Sequence, residues 1–425
     1  MQHIPRREFL TRAAGLGAAG WALEHSHVLK AMPAAESMLG KVKIRDVQTA
    51  TIQTNNAAHL VKITTDQGLF GLGEAYVGAG VLDNIAVLKR FVVGEDPLQV
   101  DYLLSRMLEG SSGHMGARAS AISGIETALW DLAGKVLNVP AYVLLGGKFR
   151  PKIRVYHDTG APRTADPAPW VEEALRSKEY GFTAMKFDIN WESRGAGLMG
   201  RPYKYRREAW NRSISALEQS QWVRIVEAIV KALGPGYDLA IDCHWEYNLR
   251  DALRFAQALE PLNIWFLEDP IPPENAEALA RLTAATKTPI ATGENLDSRH
   301  QFRPFIEKQA CDIIQPDPHR CGGLLETKRI ADMADLYYIA CACHNMCTPV
   351  GTYAIAHACM SIRSFVALES DSLEIPWWKD VVVNNGGKFY EGGYLTLSEK
   401  PGFGIELNEA VCKQHLAAGS RWFGA

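Results

Sequence analysis

Six short apolar runs that end in ionisable side chains recur at nearly constant spacing over residues 239–370, and they limit the fold more than any other feature. The runs read LAIDCHW, WFLEDP, PIATGEN, IIQPDP, IACACHN and FVALES. Their ionisable residues follow one another at intervals of 23 to 27 residues, which leaves room for one helix in each interval. Short buried strands that alternate with helices predict a parallel sheet, and a repeated unit of about 25 residues predicts a (β/α) barrel.

The ionisable residues fall at the carboxyl ends of the predicted strands, where reactive residues of such barrels lie. They are Asp242, Glu268, Glu294, Asp317, His344 and Glu369. The first three end successive strands, so their carboxylates should converge and repel one another. A hard divalent cation removes this repulsion, and an all-oxygen ligand set suits Mg²⁺ better than Zn²⁺. The alternative is that each acid separately forms a salt bridge or caps a helix.

The ordered motifs resemble those of the enolase superfamily, and within it the mandelate racemase group, in particular acid-sugar dehydratases such as galactonate dehydratase. The motifs are Lys186 in GFTAMKFD, Asp242-x-His244, Glu268-Asp269-Pro270, Gly293-Glu294-Asn295, Gln315-Pro316-Asp317 before Cys321-Gly322-Gly323, His344 and Glu369. The resemblance covers about residues 41 to 412. It implies a (β/α)7β barrel, a modified TIM barrel, with an α+β capping domain. It also implies one Mg²⁺ per active site and a base that removes the proton α to a carboxylate, giving an enediolate.

Two histidines are candidates for the acid and the base. His344 and Asp317 end neighbouring predicted strands, so the carboxylate can bond one ring nitrogen and hold the imidazole in its reactive tautomer. We expect His344 to be the general base that takes the α-proton. His244 lies two residues after Asp242, on the same strand face, and we expect it to protonate the leaving β-hydroxyl. A structural role is the alternative for each histidine.

The second predicted strand ends at Lys186 and Asp188. By the resemblance, mandelate racemase has a Lys-x-Lys pair here whose second lysine is a base, so Asp188 disfavours racemisation. We expect Lys186 to polarise the substrate carboxylate and Asp188 to contact the substrate, although Lys186 paired to Asp188 or Asp242 is the structural alternative. Glu369 either hydrogen-bonds the enediolate oxygen while protonated or holds Lys186.

Residues 41–152 differ from the barrel pattern. Alternating runs predict strands over 42–50, 58–65 and 70–75, and helical patterns follow over 81–108 and 119–138. The region resembles the superfamily's capping domain, and residues from about 375 to 425 should complete it. Tyr76 and the loop that contains His114 are the candidate substrate contacts there, with surface loops of no catalytic role as the alternative.

The barrel itself is expected over residues 153–374. An insertion over 190–221, rich in Arg, Tyr and Gly, interrupts it after the second strand. We interpret this insertion as a lid or subunit contact over a polyhydroxylated anion.

Residues 1–40 resemble a twin-arginine export signal, because Arg6-Arg7-Glu8-Phe9-Leu10 precedes an Ala/Gly/Leu stretch. We therefore expect a periplasmic protein, with a disordered tail and a cytoplasmic location as the alternative. The chain has eight cysteines. We expect them to be free thiols, because most of them fall on predicted strands or helices, where buried thiols behave as small apolar groups.

The expected activity is that of a Mg²⁺-dependent dehydratase that turns a sugar acid into a 2-keto-3-deoxy acid. The alternatives are an epimerase or cycloisomerase on the same scaffold and a non-catalytic periplasmic sugar-acid-binding protein. The net charge of −3 shows no basic excess, which argues against a nucleic-acid partner. After the first forty residues no apolar run approaches the length of a bilayer span, so we expect no membrane insertion of the mature chain. We also expect a homo-oligomer.

Overall fold

The computed structural model describes residues 40–109, 115–162, 164–189, 212–383 and 389–424. The described chain begins with a sheet of three antiparallel strands, β1 (Ile44–Gln53), β2 (Ala57–Thr65) and β3 (Phe70–Ala75). All three predicted strands are present, although β1 begins two residues later than expected. Gly68 allows the turn between β2 and β3, because its φ of +79° is a conformation that other residues rarely adopt.

Four helices follow this sheet: α1 (Val81–Leu88), α2 (Val100–Leu108), α3 (Ala117–Leu137) and α4 (Ala141–Leu144). The helical pattern predicted over 81–108 is present as two helices, α1 and α2, with a break between them. Gly94 has a φ of +84°, and Pro97 has no N–H to donate to a helical hydrogen bond, so the chain turns between α1 and α2.

Helix α3 is buried along most of its length and lies directly on β3. A Cβ at Gly71 would lie 2.1 Å from the carbonyl oxygen of Ala128, so only glycine permits this approach. Asp131 of α3 accepts hydrogen bonds from the N–H of Leu72 at 2.8 Å and from the N–H of Phe403 at 2.7 Å. The helix therefore joins the N-terminal sheet to the C-terminal segment.

Eight parallel strands form a closed barrel in chain order, because the last strand pairs with the first. The strands are β4 (Ile153–Thr159), β5 (Ala184–Asp188), β6 (Asp238–Asp242), β7 (Phe266–Glu268), β8 (Ile290–Thr292), β9 (Ile313–Ile314), β10 (Ala340–Cys343) and β11 (Phe365–Ser370).

One described helix lies in each of the seven intervals between barrel strands. The helices are α5 (Pro167–Glu179), α6 (Ala216–Leu233), α7 (Leu249–Leu259), α8 (Ala276–Thr283), α9 (Ser298–Glu307), α10 (Leu324–Asp335) and α11 (Pro349–Ser361). Side chains that accept hydrogen bonds from the first turn begin five of them, namely Asp166, Ser215, Asn248, Asn275 and Thr348. No further barrel helix follows β11 in the part of the chain that the structure describes, so the expected (β/α)7β architecture is confirmed.

One layer of inward-facing side chains closes the barrel beneath its mouth. It consists of Tyr156, Ala184, Ala240, Phe266, Ala291, Ile313, Ala342 and Ala367, all buried. Because side chains alternate along a strand, the residue two positions further on also faces inward, at the mouth. This rule places Lys186, Asp242, Glu268 and Glu369 in one ring above the closed layer.

The C-terminal segment returns to the N-terminal sheet. It contains β12 (Val382–Val383), β13 (Tyr394–Leu395), β14 (Glu406–Leu407) and α12 (Glu409–Gln414). Strand β13 pairs with β4, and β12 pairs with β14. The N–H of Gln53 donates to the carbonyl of His415 at 2.8 Å, and the N–H of Ala417 donates to the carbonyl of Thr51 at 2.9 Å.

All eight cysteines are buried free thiols, as expected. In the ranges given above, no helix has both the length and the apolar character that crossing a membrane requires.

Candidate active site

Three carboxylates meet at the barrel mouth, from β6, from β7 and from the turn after β8. Asp242 and Glu268 are paired in register on neighbouring strands, and Glu294 follows Gly293, whose φ of +138° turns the chain at the end of β8. Oxygen atoms of the three carboxylates lie within 4.8 Å of one another, and all three side chains are buried. The structure therefore brings the predicted metal ligands together.

Glu268 shows why a cation fits this cluster. It is fully buried, and apart from the ion pair of Oε2 with Lys186 neither of its carboxylate oxygens has a hydrogen-bond donor among the described residues. Burial raises the pKa of Glu268 well above its usual value; Lys186 opposes this, and Asp242 adds to it. A divalent cation among the three carboxylates offsets their repulsion, and donor atoms that are all oxygen match the preference of Mg²⁺.

Lys186 lies beside the carboxylate cluster with its ammonium fully buried. Its Nζ is 2.6 Å from Oε1 of Glu369, 3.1 Å from Oε2 of Glu268 and 3.5 Å from Oδ2 of Asp242. Burial alone lowers the pKa of Lys186, but the surrounding carboxylates outweigh it and raise that pKa well above the usual value. Lys186 therefore stays a cation at the mouth.

Glu369 holds Lys186, which is the second of the two roles considered for it. Burial acts to raise the pKa of Glu369, but Lys186 and His344 outweigh it and lower that pKa below its usual value. The hydroxyl of Tyr156 also donates to Oε2 of Glu369 at 3.0 Å. These contacts favour the carboxylate form of Glu369, which accepts hydrogen bonds and cannot donate one to a substrate oxygen.

His344 has a carboxylate at each ring nitrogen. Its Nδ1 is 2.7 Å from Oδ2 of Asp317, and its Nε2 is 3.1 Å from Oε2 of Glu294. Burial acts to lower the pKa of His344, but Glu294, Glu369 and Asp317 together raise it to about 10. A cation held by Glu294 would offset part of this attraction and so lower that pKa.

His244 reaches the site from a turn, so the expectation that it continues the strand face of Asp242 is wrong. Strand β6 ends at Asp242, and His244 and Trp245 have φ values of +45° and +60°. The backbone N–H of His244 donates to Oδ1 of Asp242 at 2.7 Å, which stabilises this turn. The imidazole still faces the mouth, with Nε2 3.0 Å from Oδ2 of Asp242.

Asp188, expected to contact the substrate, is directed at His244. Its Oδ2 lies 3.6 Å from Nδ1 of His244, and its side chain is buried. Asp188, Asp242 and His244 also bring three potential ligand atoms within 4.8 Å of one another. Of the two groups, the one with Glu268 and Glu294 would suit a hard divalent cation better, because it supplies only oxygen atoms.

Tyr76, the candidate substrate contact, lies at the mouth. Its ring centroid is 6.4 Å from that of His344, and the guanidinium of Arg320 lies 5.5 Å from the Tyr76 ring. His114 lies outside the described residues, as do residues 190–211 of the insertion. The nearby N–H of Gly116 donates to Oδ2 of Asp297 at 2.9 Å, which brings the capping region against the barrel.

Comparison with known proteins decides the family. Residues 38–146 match the N-terminal domain of mandelate racemase and muconate lactonizing enzyme, and residues 170–411 match the enolase C-terminal domain-like family. The chain belongs to the mandelate racemase/muconate lactonizing enzyme family. The resemblance to the enolase superfamily, inferred from the motifs, is thereby confirmed.

Curated relatives of this family member are named as dehydratases. The D-xylonate dehydratase of Haloferax volcanii is 41% identical over 385 residues, and the match covers 90% of each chain. The D-galactonate dehydratase of Ralstonia nicotianae is 34% identical over 375 residues, covering 85% of this chain and 92% of that one. This family member is therefore a dehydratase, an enzyme of the hydro-lyase class.

Solved structures of similar proteins share its fold. The mandelate racemase/muconate lactonizing enzyme-like protein from Rubrobacter xylanophilus is 38% identical with a TM-score of 0.83, covering 90% of this chain and 99% of that one. The protein of the same description from Roseovarius sp. is 30% identical with a TM-score of 0.77, covering 89% and 97%.

Two buried carboxylates that sequence reasoning missed connect the capping domain of this family member to the barrel. Glu74 of β3 accepts hydrogen bonds from the N–H and hydroxyl of Thr348 and from the N–H of Gly351, at the start of α11. Glu126 of α3 accepts from two backbone N–H groups at the start of α10 and from Trp130. Burial raises the pKa of Glu74 and of Glu126 to about 7.

One signal for Glu74 was present in the sequence. It is a charged residue in a strand whose other residues are apolar or glycine, and Thr348 precedes a proline, the usual start of a helix. The sequence does not show that Glu74 and Thr348 contact each other, because 274 residues separate them.

Proposed function

We propose that this dehydratase uses Mg²⁺ to dehydrate a sugar acid, an aldonate or an aldarate. The reaction removes the proton α to the carboxylate and eliminates the β-hydroxyl, so that a 2,3-dihydroxy acid becomes a 2-keto-3-deoxy acid and water. The names of the relatives from Haloferax volcanii and Ralstonia nicotianae support the substrate class.

The observation that carries the proposal is a pair of histidines on opposite sides of one carboxylate cluster. His344 follows β10 and His244 follows β6, and strands four places apart in an eight-stranded barrel lie across from each other. The Nε2 of His344 lies 3.1 Å from Glu294, and the Nε2 of His244 lies 3.0 Å from Asp242. An elimination needs one group to take a proton and another to give one, and this arrangement supplies both.

His344 acts first, as the base. Its Nε2 takes the proton from C2 of the substrate, while Asp317 keeps the Nδ1 hydrogen and stabilises the imidazolium that forms. Lys186 supplies fixed positive charge beside the developing anion. A Mg²⁺ ion bound by Asp242, Glu268 and Glu294 supplies further positive charge when the substrate carboxylate gains its second negative charge.

His244 completes the elimination. The electron pair left at C2 forms the C2–C3 double bond as the C3–O bond breaks, and Nε2 of His244 gives its proton to the departing hydroxyl, which leaves as water. The resulting enol at C2 becomes the ketone by taking a proton at C3 and releasing the proton of its C2 hydroxyl. The atoms balance without an oxidant or a reductant.

The first experiment is a substrate screen. The purified enzyme is incubated with Mg²⁺ and a panel of aldonates and aldarates that includes D-xylonate and D-galactonate, and 2-keto acid formation is measured. We expect product from at least one member. Measurable binding without product from any member would favour the sugar-acid-binding protein, and an epimer or a cyclised product would favour the alternative enzymes.

Variants of the two histidines then test the division of roles. In D₂O, His344→Asn should lose both exchange of the C2 proton and elimination, whereas His244→Asn should keep the exchange and lose elimination. Elimination at the wild-type rate in both variants would contradict the assignment.

We also propose that residues 1–40 direct export to the periplasm by the twin-arginine route. The support is the Arg6-Arg7 pair followed by an apolar stretch. A fusion of residues 1–40 to a reporter that is active only after export tests this proposal. Export should fail when Arg6→Lys and Arg7→Lys are combined, and export that persists in this variant would contradict the route.

A further inference from the structure

The two histidines have the same kind of partner at Nδ1. His344 has Oδ2 of Asp317 at 2.7 Å, and His244 has Oδ2 of Asp188 at 3.6 Å. Neither aspartate belongs to the metal-binding triad. Asp188 ends β5, which adjoins β6, the strand before His244, and Asp317 follows β9, which adjoins β10, the strand before His344.

The Nε2 atoms are also placed alike, since each lies within 3.1 Å of a carboxylate of the triad. Each imidazole thus has one nitrogen directed at an aspartate outside the cluster and the other directed at the reaction centre. In such a pair the aspartate fixes which ring nitrogen carries the hydrogen, and therefore which nitrogen exchanges protons with the substrate.

We propose that Asp188 is a positioning residue for His244. Its carboxylate accepts the Nδ1 hydrogen and thereby directs Nε2, with its proton, at the β-hydroxyl that leaves. This inference rests on the proposed dehydration and names the residue that makes the acid effective. It also replaces the role of substrate contact that the sequence suggested for Asp188.

The strand register explains why Asp188 can do this. Asp188 is the last residue of β5 and pairs in register with Asp242 on β6, so its side chain stands beside the turn that carries His244. Only 6% of Asp188 is exposed, and its position two residues after Lys186 places both side chains on the inner face. A lysine here could exchange a proton with the substrate directly, whereas a carboxylate can hold the imidazole of a histidine.

The distance of 3.6 Å is longer than a hydrogen bond, so the pair must tighten for this role. In the structure the Nε2 of His244 is drawn to Oδ2 of Asp242. A cation held by Asp242 would compete for that oxygen, and the imidazole would then be free to move towards Asp188. Catalytic hydrogen bonds are commonly long before the substrate binds.

The experiment compares Asp188→Ala, Asp188→Asn and Asp188→Glu with the wild-type enzyme. With D-xylonate and Mg²⁺ in D₂O, NMR follows C2 proton exchange and 2-keto acid formation in the same sample. We expect Asp188→Ala to lower kcat for elimination about 10- to 100-fold while C2 exchange is retained. Asp188→Glu should recover part of the loss, because it restores a carboxylate. Asp188→Asn, which is nearly the same size, controls for folding.

Asp317→Asn is the matched variant on the other histidine. Because Asp317 serves the base, this variant should lower exchange and elimination together. A parallel fall of both rates in Asp188→Ala, or a rise in KM alone, would overturn the positioning role and favour a substrate contact. A weaker Mg²⁺ affinity of Asp188→Ala in calorimetry would overturn it in favour of a metal ligand.

A spectroscopic measurement tests the same point without turnover. Long-range ¹H–¹⁵N spectra of the Mg²⁺-loaded enzyme, labelled at histidine, report which ring nitrogen carries the hydrogen, and His244→Asn identifies the signal. The neutral imidazole of His244 should carry its hydrogen on Nδ1 in the wild type and redistribute it to Nε2 in Asp188→Ala. An unchanged signal would contradict the inference. If no sugar acid reacts with the wild type, the proposed dehydration fails, and this spectrum still decides the role of Asp188.

Discussion

Replacing Glu74 by glutamine should change how the stability of the protein depends on pH. Glu74 is 2% exposed, and burial raises its pKa from 4.5 to about 7 although Thr348 and Gly351 donate hydrogen bonds to it. In the unfolded chain the same carboxyl ionises near 4.5. The folded state therefore binds the proton more tightly, so this contribution to stability is fully present below pH 4.5 and is lost as pH rises through 7.

The size of the effect follows from the two pKa values. At about 1.4 kcal/mol per pH unit, the loss from Glu74 amounts to about 3 kcal/mol between pH 4.5 and pH 8. Glutamine has no proton to lose, so Glu74→Gln lacks this dependence. The free energy of unfolding of the wild type minus that of the variant should therefore fall by about 3 kcal/mol over this range.

Urea unfolding at several pH values measures this difference, with the slope against urea compared between proteins to confirm that the same surface is exposed. Glu172→Gln, on the exposed face of α5, is the control and should follow the wild type at every pH. Wild-type and Glu74→Gln curves that run parallel from pH 4.5 to pH 8 would refute the reasoning, because they would show that Glu74 ionises alike in both states.

Three further predictions follow from other sites. Mg²⁺ at about 100 times its dissociation constant should stabilise the wild type by about 2.7 kcal/mol, seen as a rise in Tm, and Glu268→Gln should lose most of this rise. His357 is buried neutral, with Nδ1 3.1 Å from the N–H of Tyr142, and burial lowers its pKa to about 4. Its contribution to stability is present above pH 6.5 and lost as pH falls towards 4, so the unfolding free energy of His357→Gln should decline less in acid than that of the wild type. Gly323→Ala would place a Cβ 2.1 Å from Oε2 of Glu126, at a φ of +107°, so it should lower Tm more than Gly392→Ala, where the Cβ meets nothing within 4 Å.

The ring of reactive side chains at the barrel mouth was predictable, because each of these residues occupies the same position in a repeated strand–helix unit. Strand alternation and an interval of 23 to 27 residues place Asp242, Glu268 and Glu369 at the mouth without any knowledge of long-range contacts. Asp317 lies three residues beyond the two-residue strand β9, and it still meets His344 at 2.7 Å, because the order of the strands makes the two segments neighbours.

Turn conformation and distant partners were not predictable. Nothing in the spacing of Asp242 and His244 shows that the chain leaves the strand with positive φ, which rotates the imidazole towards Asp188. The choice between two roles for Glu369 depended on where the ammonium of Lys186 lies, and these residues are far apart in the chain. The break between α1 and α2 could have been predicted, because the sequence contains Gly94 and Pro97 there. These two residues outweigh the apolar periodicity that indicates a helix.

The hydrogen bonds that Glu74 and Glu126 accept limit which parts of this enzyme can be exchanged with those of its relatives. Both carboxylates belong to the capping domain, yet their backbone donors are the first N–H groups of α10 and α11. In a cap expressed by itself, both carboxylates would lose these backbone donors, and Glu126 would keep only its hydrogen bond from Trp130. A chimaera that exchanges caps between relatives must therefore carry the matching helix starts with it, and substrate range should be altered by changing loops within one cap rather than by exchanging whole modules.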